Sequence, residues 1–265
     1  MKLGVIGCGK MGRALVGGIL NAGICEAENV FVYDSYADAA ASMAAELGVM
    51  QVGSNAEVVT HSEVVLLCVK PQGFANMLAE LGDSADRLLI SIAAGTQIAR
   101  IETGSDNKHR VIRVMPNTPA LVGKGASAYA LGSRANEADA KITESLLNAV
   151  GYSCRVEETA LDGVTALSGS GPAYVFLLIE SLVAAGIEQG LTPEIAHDLA
   201  AHTVAGAAEL LLQSNESPGQ LRENVTSPNG TTFAALESFR ADHFSEIVNR
   251  AVAAAADRSR ELGKA

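Results

Sequence analysis

The sequence predicts an α/β fold, with an N-terminal doubly wound sheet over residues 1–160 followed by a smaller all-α domain over residues 161–265. Three observations predict it. Short apolar runs alternate with helical periodicity through the first half of the chain, a glycine-rich turn sits between the first strand and the first helix, and strand signals stop near residue 160.

Residues 2–6 read as an apolar strand and Lys10 to Ala22 as a helix. Further strands are expected at Asn29–Tyr33, Val49–Val52, Val64–Val69, Leu88–Ile92 and Val111–Met115, with a helix over Ala37–Leu47. Alternation at this spacing means βαβ units, and the right-handed crossover rule then leads to a doubly wound parallel sheet. Ala126–Leu131, a helix over Glu137–Val150, and Ser153–Val156 add an edge to that sheet. The domain boundary is placed at 155–165. Helices are expected beyond it near 160–167, 172–190, 193–213 and 231–262.

The chain of 265 residues is 48% hydrophobic and 18% charged, which is the composition of a globular protein. Its formal net charge of −11 opposes binding to nucleic acid or to an anionic membrane. The apolar stretch Ala173–Ile187 is interrupted by Glu180 and Ser181 and reads as too short to span a bilayer, so a core or a subunit interface is expected to cover it. Four scattered cysteines, Cys8, Cys25, Cys68 and Cys154, form no Cys-x-x-Cys pair. That pattern predicts no metal site and a reducing compartment. The N-terminus runs straight into a strand, so no leader peptide and a cytoplasmic location are expected.

Gly7-Cys8-Gly9-Lys10-Met11-Gly12 follows the first strand and opens the first helix. The first glycine allows a tight turn, the second lets backbone approach a pyrophosphate, and the third lets helix pack on strand. Together they predict a Rossmann dinucleotide site. Asp34 ends the second strand, where an acid accepts hydrogen bonds from the adenosine ribose and favours NAD over NADP. Ser35 and Tyr36 offer hydroxyls and backbone amides to a 2′-phosphate. Ligands of such sheets bind beyond the carboxyl ends of the strands, which places Cys68-Val69-Lys70-Pro71, Ala93-Ala94-Gly95 and the loop holding Asn117 toward the nicotinamide.

Between Arg155 and Arg222 there is no Lys or Arg, so a substrate carrying several phosphates finds no cationic clamp there. The substrate is expected to be small and of little net charge. Leu167-Ser168-Gly169-Ser170-Gly171-Pro172-Ala173-Tyr174 reads as a flexible polar turn before a helix starting at Pro172. Farther on, Val225-Thr226-Ser227-Pro228-Asn229-Gly230-Thr231-Thr232 places a turn and two hydroxyls at a helix N-terminus, which suits one carboxylate; ordinary capping by Thr231 is the alternative.

In this order, Ile6–Gly12, Val69-Lys70-Pro71, Ile92–Gly95, Met115-Pro116-Asn117-Thr118-Pro119, Leu167–Tyr174 and Ser227–Thr232 resemble the pyrroline-5-carboxylate reductases over nearly the whole chain. The resemblance implies NAD(P)H-dependent reduction of 1-pyrroline-5-carboxylate to L-proline. It also implies a helical domain that dimerises, with five dimers building a decamer. Carried over by position, cofactor contacts fall on Ile6, Gly7, Cys8, Gly9, Lys10, Met11, Ser35, Asn55, Cys68, Val69, Lys70, Pro71, Ala93, Ala94, Gly95 and Asn224, beside Gly12, Asp34 and Asn117 from the residues themselves. Val225, Ser227, Gly230, Thr231 and Thr232 are the expected substrate contacts, with Thr232 the catalytic proton donor.

Two departures stand out. The family's usual cofactor is NADPH, whereas Asp34 leaves NADH open. The family's turn commonly reads Ser-Pro-Gly-Gly, and Asn229 stands here; Asn tolerates positive φ, so the turn is expected to survive. Two other readings remain open: a Rossmann reductase of another imine or keto acid, and a non-catalytic dinucleotide sensor.

Overall fold

The first strand, β1 (Leu3–Ile6), is buried along its whole length, as a parallel strand covered by helices on both faces must be. In the computed structural model, which describes residues 1–263, it is followed by α1 (Lys10–Asn21), β2 (Val30–Tyr33), α2 (Ala37–Leu47), β3 (Met50–Gln51), α3 (Asn55–His61) and β4 (Val64–Leu67). Next come α4 (Phe74–Ala79), β5 (Leu88–Ser91), α5 (Ile98–Gly104), β6 (Arg110–Met115), β7 (Gly125–Leu131), α6 (Glu137–Asn148) and β8 (Gly151–Arg155). The strands form one sheet in the order β3-β2-β1-β4-β5-β6-β7-β8. All neighbours are parallel except β6 and β7. The order reverses between β1 and β4, the topological switch point of a Rossmann sheet. Every expected strand is present, and the two later ones form the edge assigned to them.

Residue alternation divides the sheet between two cores. Val5, Leu66, Ile90 and Ile112 pack with Leu15, Val16 and Ile19 of α1 and with Leu146 and Leu147 of α6. Val65, Leu67, Leu89 and Val111 face the other way, onto Val58, Phe74, Met77 and Ile101. Helix starts are fixed by local chemistry: Asn136 and Asp139 form a reciprocal capping box on α6, and the Ser54 hydroxyl caps α3. Each such cap stabilises its helix by about 1 kcal/mol.

Beyond β8 the chain is helical, with α7 (Leu161–Val164), a π-turn over Thr165–Gly169, α8 (Gly171–Glu188), α9 (Pro193–Gln213), α10 (Pro218–Asn224), α11 (Thr231–Ala241) and α12 (Phe244–Leu262). Two compact units result: Met1–Ser170 together with the chain from Ala254 onward, and Gly171–Ala253. The last turns of α12 therefore belong with the sheet. Ser259 donates its hydroxyl to Asp162 Oδ1 at 2.6 Å, and Leu262 lies over Gly95.

Three features differ from expectation. Residues 167–169 belong to the π-turn rather than to a flexible loop: the Ser170 N–H reaches back to the Thr165 carbonyl at 2.8 Å, and α8 starts at Gly171, one residue before the expected Pro172. The helix expected over 231–262 is broken at Asp242–His243, where His243 takes φ 54° and the rings of Phe239 and Phe244 meet edge to face at 5.2 Å. Ala173–Ile187 lies inside a helical run, Glu158–Glu188, of 31 residues, in which an 18-residue window reaches a mean hydropathy of 1.6, long and apolar enough to cross a bilayer by length and composition alone. No residue of α8 is buried within the chain, and Phe176 and Leu177 are each 63% exposed.

Candidate functional site

Gly7 follows β1 in a conformation that glycine favours, φ 101°, and a Cβ there would lie 2.7 Å from the Cys68 carbonyl. The turn is held against both neighbouring strands: Gly7 N–H donates to the Tyr33 carbonyl at 2.9 Å, and Cys68 N–H to the Ile6 carbonyl at 2.7 Å. A Cβ on Gly12 would collide with the Gly7 carbonyl oxygen, whereas one on Gly9 would meet nothing within 4 Å. The first and third glycines are thus needed by the fold, while the second leaves open space above the turn. Gly9 is the N-cap of α1 and no side chain caps that helix, so Lys10 and Met11 begin it with backbone donors available to an anion.

Asp34 does something the sequence did not reveal. Its Oδ2 accepts from the Cys8 N–H at 2.7 Å and its Oδ1 from the Tyr36 N–H at 2.9 Å. The Tyr36 amide, expected to be available to a 2′-phosphate, is therefore occupied, while the Ser35 and Tyr36 side chains stand exposed. Asn55 opens α3 and is 5% exposed. Its amide nitrogen donates to Glu80 Oε2 at 2.7 Å, and its buried Oδ1 has no partner. Glu80 follows directly on the end of α4, 25 residues from Asn55, and no sequence signal links the two.

At the other strand ends, Val69 and exposed Lys70 precede a 3-10 turn over Pro71–Gly73. Ala93 N–H donates to the buried Ser91 hydroxyl at 3.3 Å, Ala94 is exposed, and Gly95 takes φ 73°. Asn117 is 8% exposed, and its side chain is engaged inside the fold: it donates to the carbonyl and the hydroxyl of Ser168 and accepts from Ala126 N–H. It joins two of the motif segments that are far apart in sequence. Burial pushes the thiols of Cys8 and Cys68 up to about 12. Both are neutral at physiological pH and poor nucleophiles.

The second unit holds the other cluster. Asn229 takes φ 56°, as its side chain allows, and Gly230 N–H donates to the Ser227 carbonyl at 3.0 Å, so the turn survives without the family's glycine. Gly230, not Thr231, is the N-cap of α11, and no side chain caps it. The first bond of the helix runs from Ala234 N–H to the Gly230 carbonyl at 3.1 Å. The N–H groups of Thr231, Thr232 and Phe233 therefore open the helix together with two threonine hydroxyls. Val225 is 63% exposed beside the exposed Ser227. Asn224 is engaged within its own segment, donating to Glu216 at 2.7 Å and accepting from Gln220 at 3.0 Å.

The residues fit a dinucleotide. A glycine turn with open space, an uncapped helix N-terminus and an orphaned buried oxygen on Asn55 all lie at the carboxyl edge of the sheet near its switch point. A shallow groove of about 510 Å³ between α4 and α5, lined by Ala75, Leu78 and Arg100 among others, contains none of the predicted site residues.

Comparison with known proteins decides the family. Residues 158–262 match the model of the pyrroline-5-carboxylate reductase dimerisation domain, and residues 2–95 that of the NADP oxidoreductase, coenzyme F420-dependent, domain. The chain is 40% identical to the pyrroline-5-carboxylate reductase of Methanosarcina acetivorans, covering 99% of this chain and 98% of that one. The chain belongs to the pyrroline-5-carboxylate reductase family. It is thereby an NAD(P)H-dependent oxidoreductase of the family that performs the last step of proline biosynthesis.

Solved structures of pyrroline-5-carboxylate reductases agree. The protein of Coxiella burnetii superimposes with a TM-score of 0.94 at 34% identity, over 100% of this chain and 99% of that one. A Plasmodium falciparum pyrroline carboxylate reductase with NADP bound gives 0.88 at 35% identity, over 99% and 98%. The dimerisation match accounts for α8: the exposed apolar helix belongs to a domain that associates with another subunit.

Proposed function

We propose that this reductase holds 1-pyrroline-5-carboxylate by its carboxylate at the N-terminus of α11 and reduces its C=N bond to give L-proline. The observation that carries this reading is the uncapped start of α11, where three N–H groups and the hydroxyls of Thr231 and Thr232 converge in sequence. Such a terminus stabilises one negative charge. With no Lys or Arg between Arg155 and Arg222, the fitting substrate carries its own cation, the protonated ring nitrogen.

Thr231 binds the carboxylate, while Thr232 hydrogen-bonds the ring nitrogen and relays a proton to it. Val225, Ser227 and Gly230 shape the wall of this pocket, with Gly230 keeping the backbone close. When bound, the dinucleotide would supply a hydride to the carbon of the protonated imine, which saturates the C=N bond. The proton relayed from solvent through Thr232 then gives the ammonium form of proline. Ile6 through Gly12 hold its pyrophosphate, Ser35 and Asn55 its adenosine ribose, and Cys68 to Pro71 with Ala93 to Gly95 its nicotinamide half. Asn117 and Asn224 support these segments. NADPH is the favoured cofactor, on the family habit and the NADP-bound relative, and NADH is accepted as well.

The working form is a cytoplasmic homodimer built through α8, with five dimers forming a decamer. The sheet domain over 1–160 takes the cofactor, and residues 161–265 take the substrate and dimerise. A substrate panel tests the reading. Proline should form from pyrroline-5-carboxylate, while open-chain 2-keto acids and larger cyclic imines react at least tenfold more slowly, on the scale of one or two lost contacts. Preference for a keto acid would move the assignment to another Rossmann reductase.

A further inference from the structure

An acid at the end of the second strand of a Rossmann sheet ordinarily accepts hydrogen bonds from the adenosine ribose and repels a 2′-phosphate. In this chain the carboxylate of Asp34 is turned onto the backbone. One oxygen accepts from Cys8 N–H at 2.7 Å and the other from Tyr36 N–H at 2.9 Å. The neighbouring Gly7 N–H is bound to the Tyr33 carbonyl at 2.9 Å, so two successive residues of the glycine turn are tied to the end of β2.

We infer that Asp34 is a positioning residue that fastens the phosphate-binding turn to the turn after β2, and that it does not select between NADH and NADPH. The inference rests on dinucleotide binding at Gly7–Gly12.

Two N–H dipoles point at the carboxylate, and Cys8 lies just ahead of the uncapped N-terminus of α1, whose partial positive charge offsets the negative one. A 2′-phosphate held at Ser35 would meet a charge already compensated by its hydrogen bonds. The open face of the turn at Gly9 and the donors of Lys10 and Met11 stay available to the pyrophosphate, which both cofactors share. Without the carboxylate, the Cys8 amide loses its acceptor and the turn its second tie. The loss falls on the shared part of the cofactor.

The experiment uses the full-length enzyme and its Asp34→Ala and Asp34→Asn variants, with KM and kcat for NADPH and NADH, and Kd for both by fluorescence titration. Asp34→Ala should raise both cofactor KM values together by about 3- to 10-fold, as expected for lost charge-assisted hydrogen bonds, with kcat and the substrate KM within about twofold. The NADPH-to-NADH ratio of kcat/KM should stay within about threefold of the parent. Asp34→Asn keeps one acceptor and should fall between, and it carries the test should Asp34→Ala fail to fold.

A ratio shifted about tenfold or more toward NADPH would show a selector and overturn the inference. Unchanged KM values with only a lower melting temperature would overturn it as well. Should the parent bind both cofactors yet reduce no pyrroline-5-carboxylate, the activity reading fails while the Kd ratios still decide the role of Asp34.

Discussion

Asn117 donates its side-chain amide to both the carbonyl oxygen and the hydroxyl of Ser168, each at 3.2 Å. Ala126 closes the joint, its N–H reaching Asn117 Oδ1 at 2.8 Å and its carbonyl accepting from Ser168 Oγ at 2.8 Å. Replacing Asn117 by Ala leaves these partners short of hydrogen bonds in a buried place. It should destabilise the protein by about 1–3 kcal/mol. Urea unfolding measures it, and an unchanged midpoint would mean that the joint carries no stability.

Gly9→Ala separates cofactor binding from folding. The added methyl meets no protein atom within 4 Å, and Gly9 already has φ −72°, which Ala adopts freely. The melting temperature should therefore be unchanged, while the KM for NADPH rises by about tenfold or more because the methyl occupies the space a pyrophosphate needs. Gly7→Ala, by contrast, should unfold or badly destabilise the chain, since its Cβ would sit 2.7 Å from the Cys68 backbone.

Thr232→Ala should lower kcat by about ten- to a hundredfold, the lower range of general-acid effects, with the KM for NADPH unchanged. Thr231→Val should mainly raise the KM for pyrroline-5-carboxylate. Neither threonine caps α11, so thermal stability should hold in both variants. Steady-state kinetics with each substrate varied in turn checks the split.

His109 gives the fold a pH dependence. It is 1% exposed, and its Nδ1 accepts from Arg87 N–H at 3.2 Å. Burial first, then the charges of Arg87, Lys108 and Arg134, push its pKa down, with Asp86 opposing. The unfolded chain takes up a proton as pH falls through about 6.5, while the folded chain does so only lower. This contribution is complete above that pH and is lost as pH drops toward the folded value, by at most about 1.4 kcal/mol per pH unit. Urea midpoints between neutral pH and the folded value should fall more steeply for the parent than for His109→Gln.

Much of the sheet was legible because strand burial writes itself as unbroken apolar runs: Val64–Leu67 and Leu88–Ser91 are buried residue for residue. The glycine turn was legible because each glycine answers a separate steric demand. Partners of polar side chains were not. Nothing in the sequence ties Asn117 to Ser168, Asp34 to Cys8 or Asn55 to Glu80, since such pairings depend on how the elements pack.

Helix ends were missed where local signals were weak or overruled. Ser217 and Pro218 announce α10, whose Gln220 N–H the Ser217 hydroxyl does cap, but the segment carries too little apolar periodicity to stand out. The break at His243 lies between helical patterns in phase with each other. The return of α12 to the sheet, through Ser259 and Leu262, has no sequence signature at all.

Everything proposed for the site meets in one event, a hydride transfer to pyrroline-5-carboxylate from a dinucleotide bound at the glycine turn. The most direct measurement mixes the enzyme with NADPH or NADH and that substrate, following the absorbance of the reduced nicotinamide together with proline formed. Oxidation should proceed with one proline formed per cofactor consumed. Folded enzyme that binds the cofactor yet leaves it reduced, with no proline formed, would contradict it.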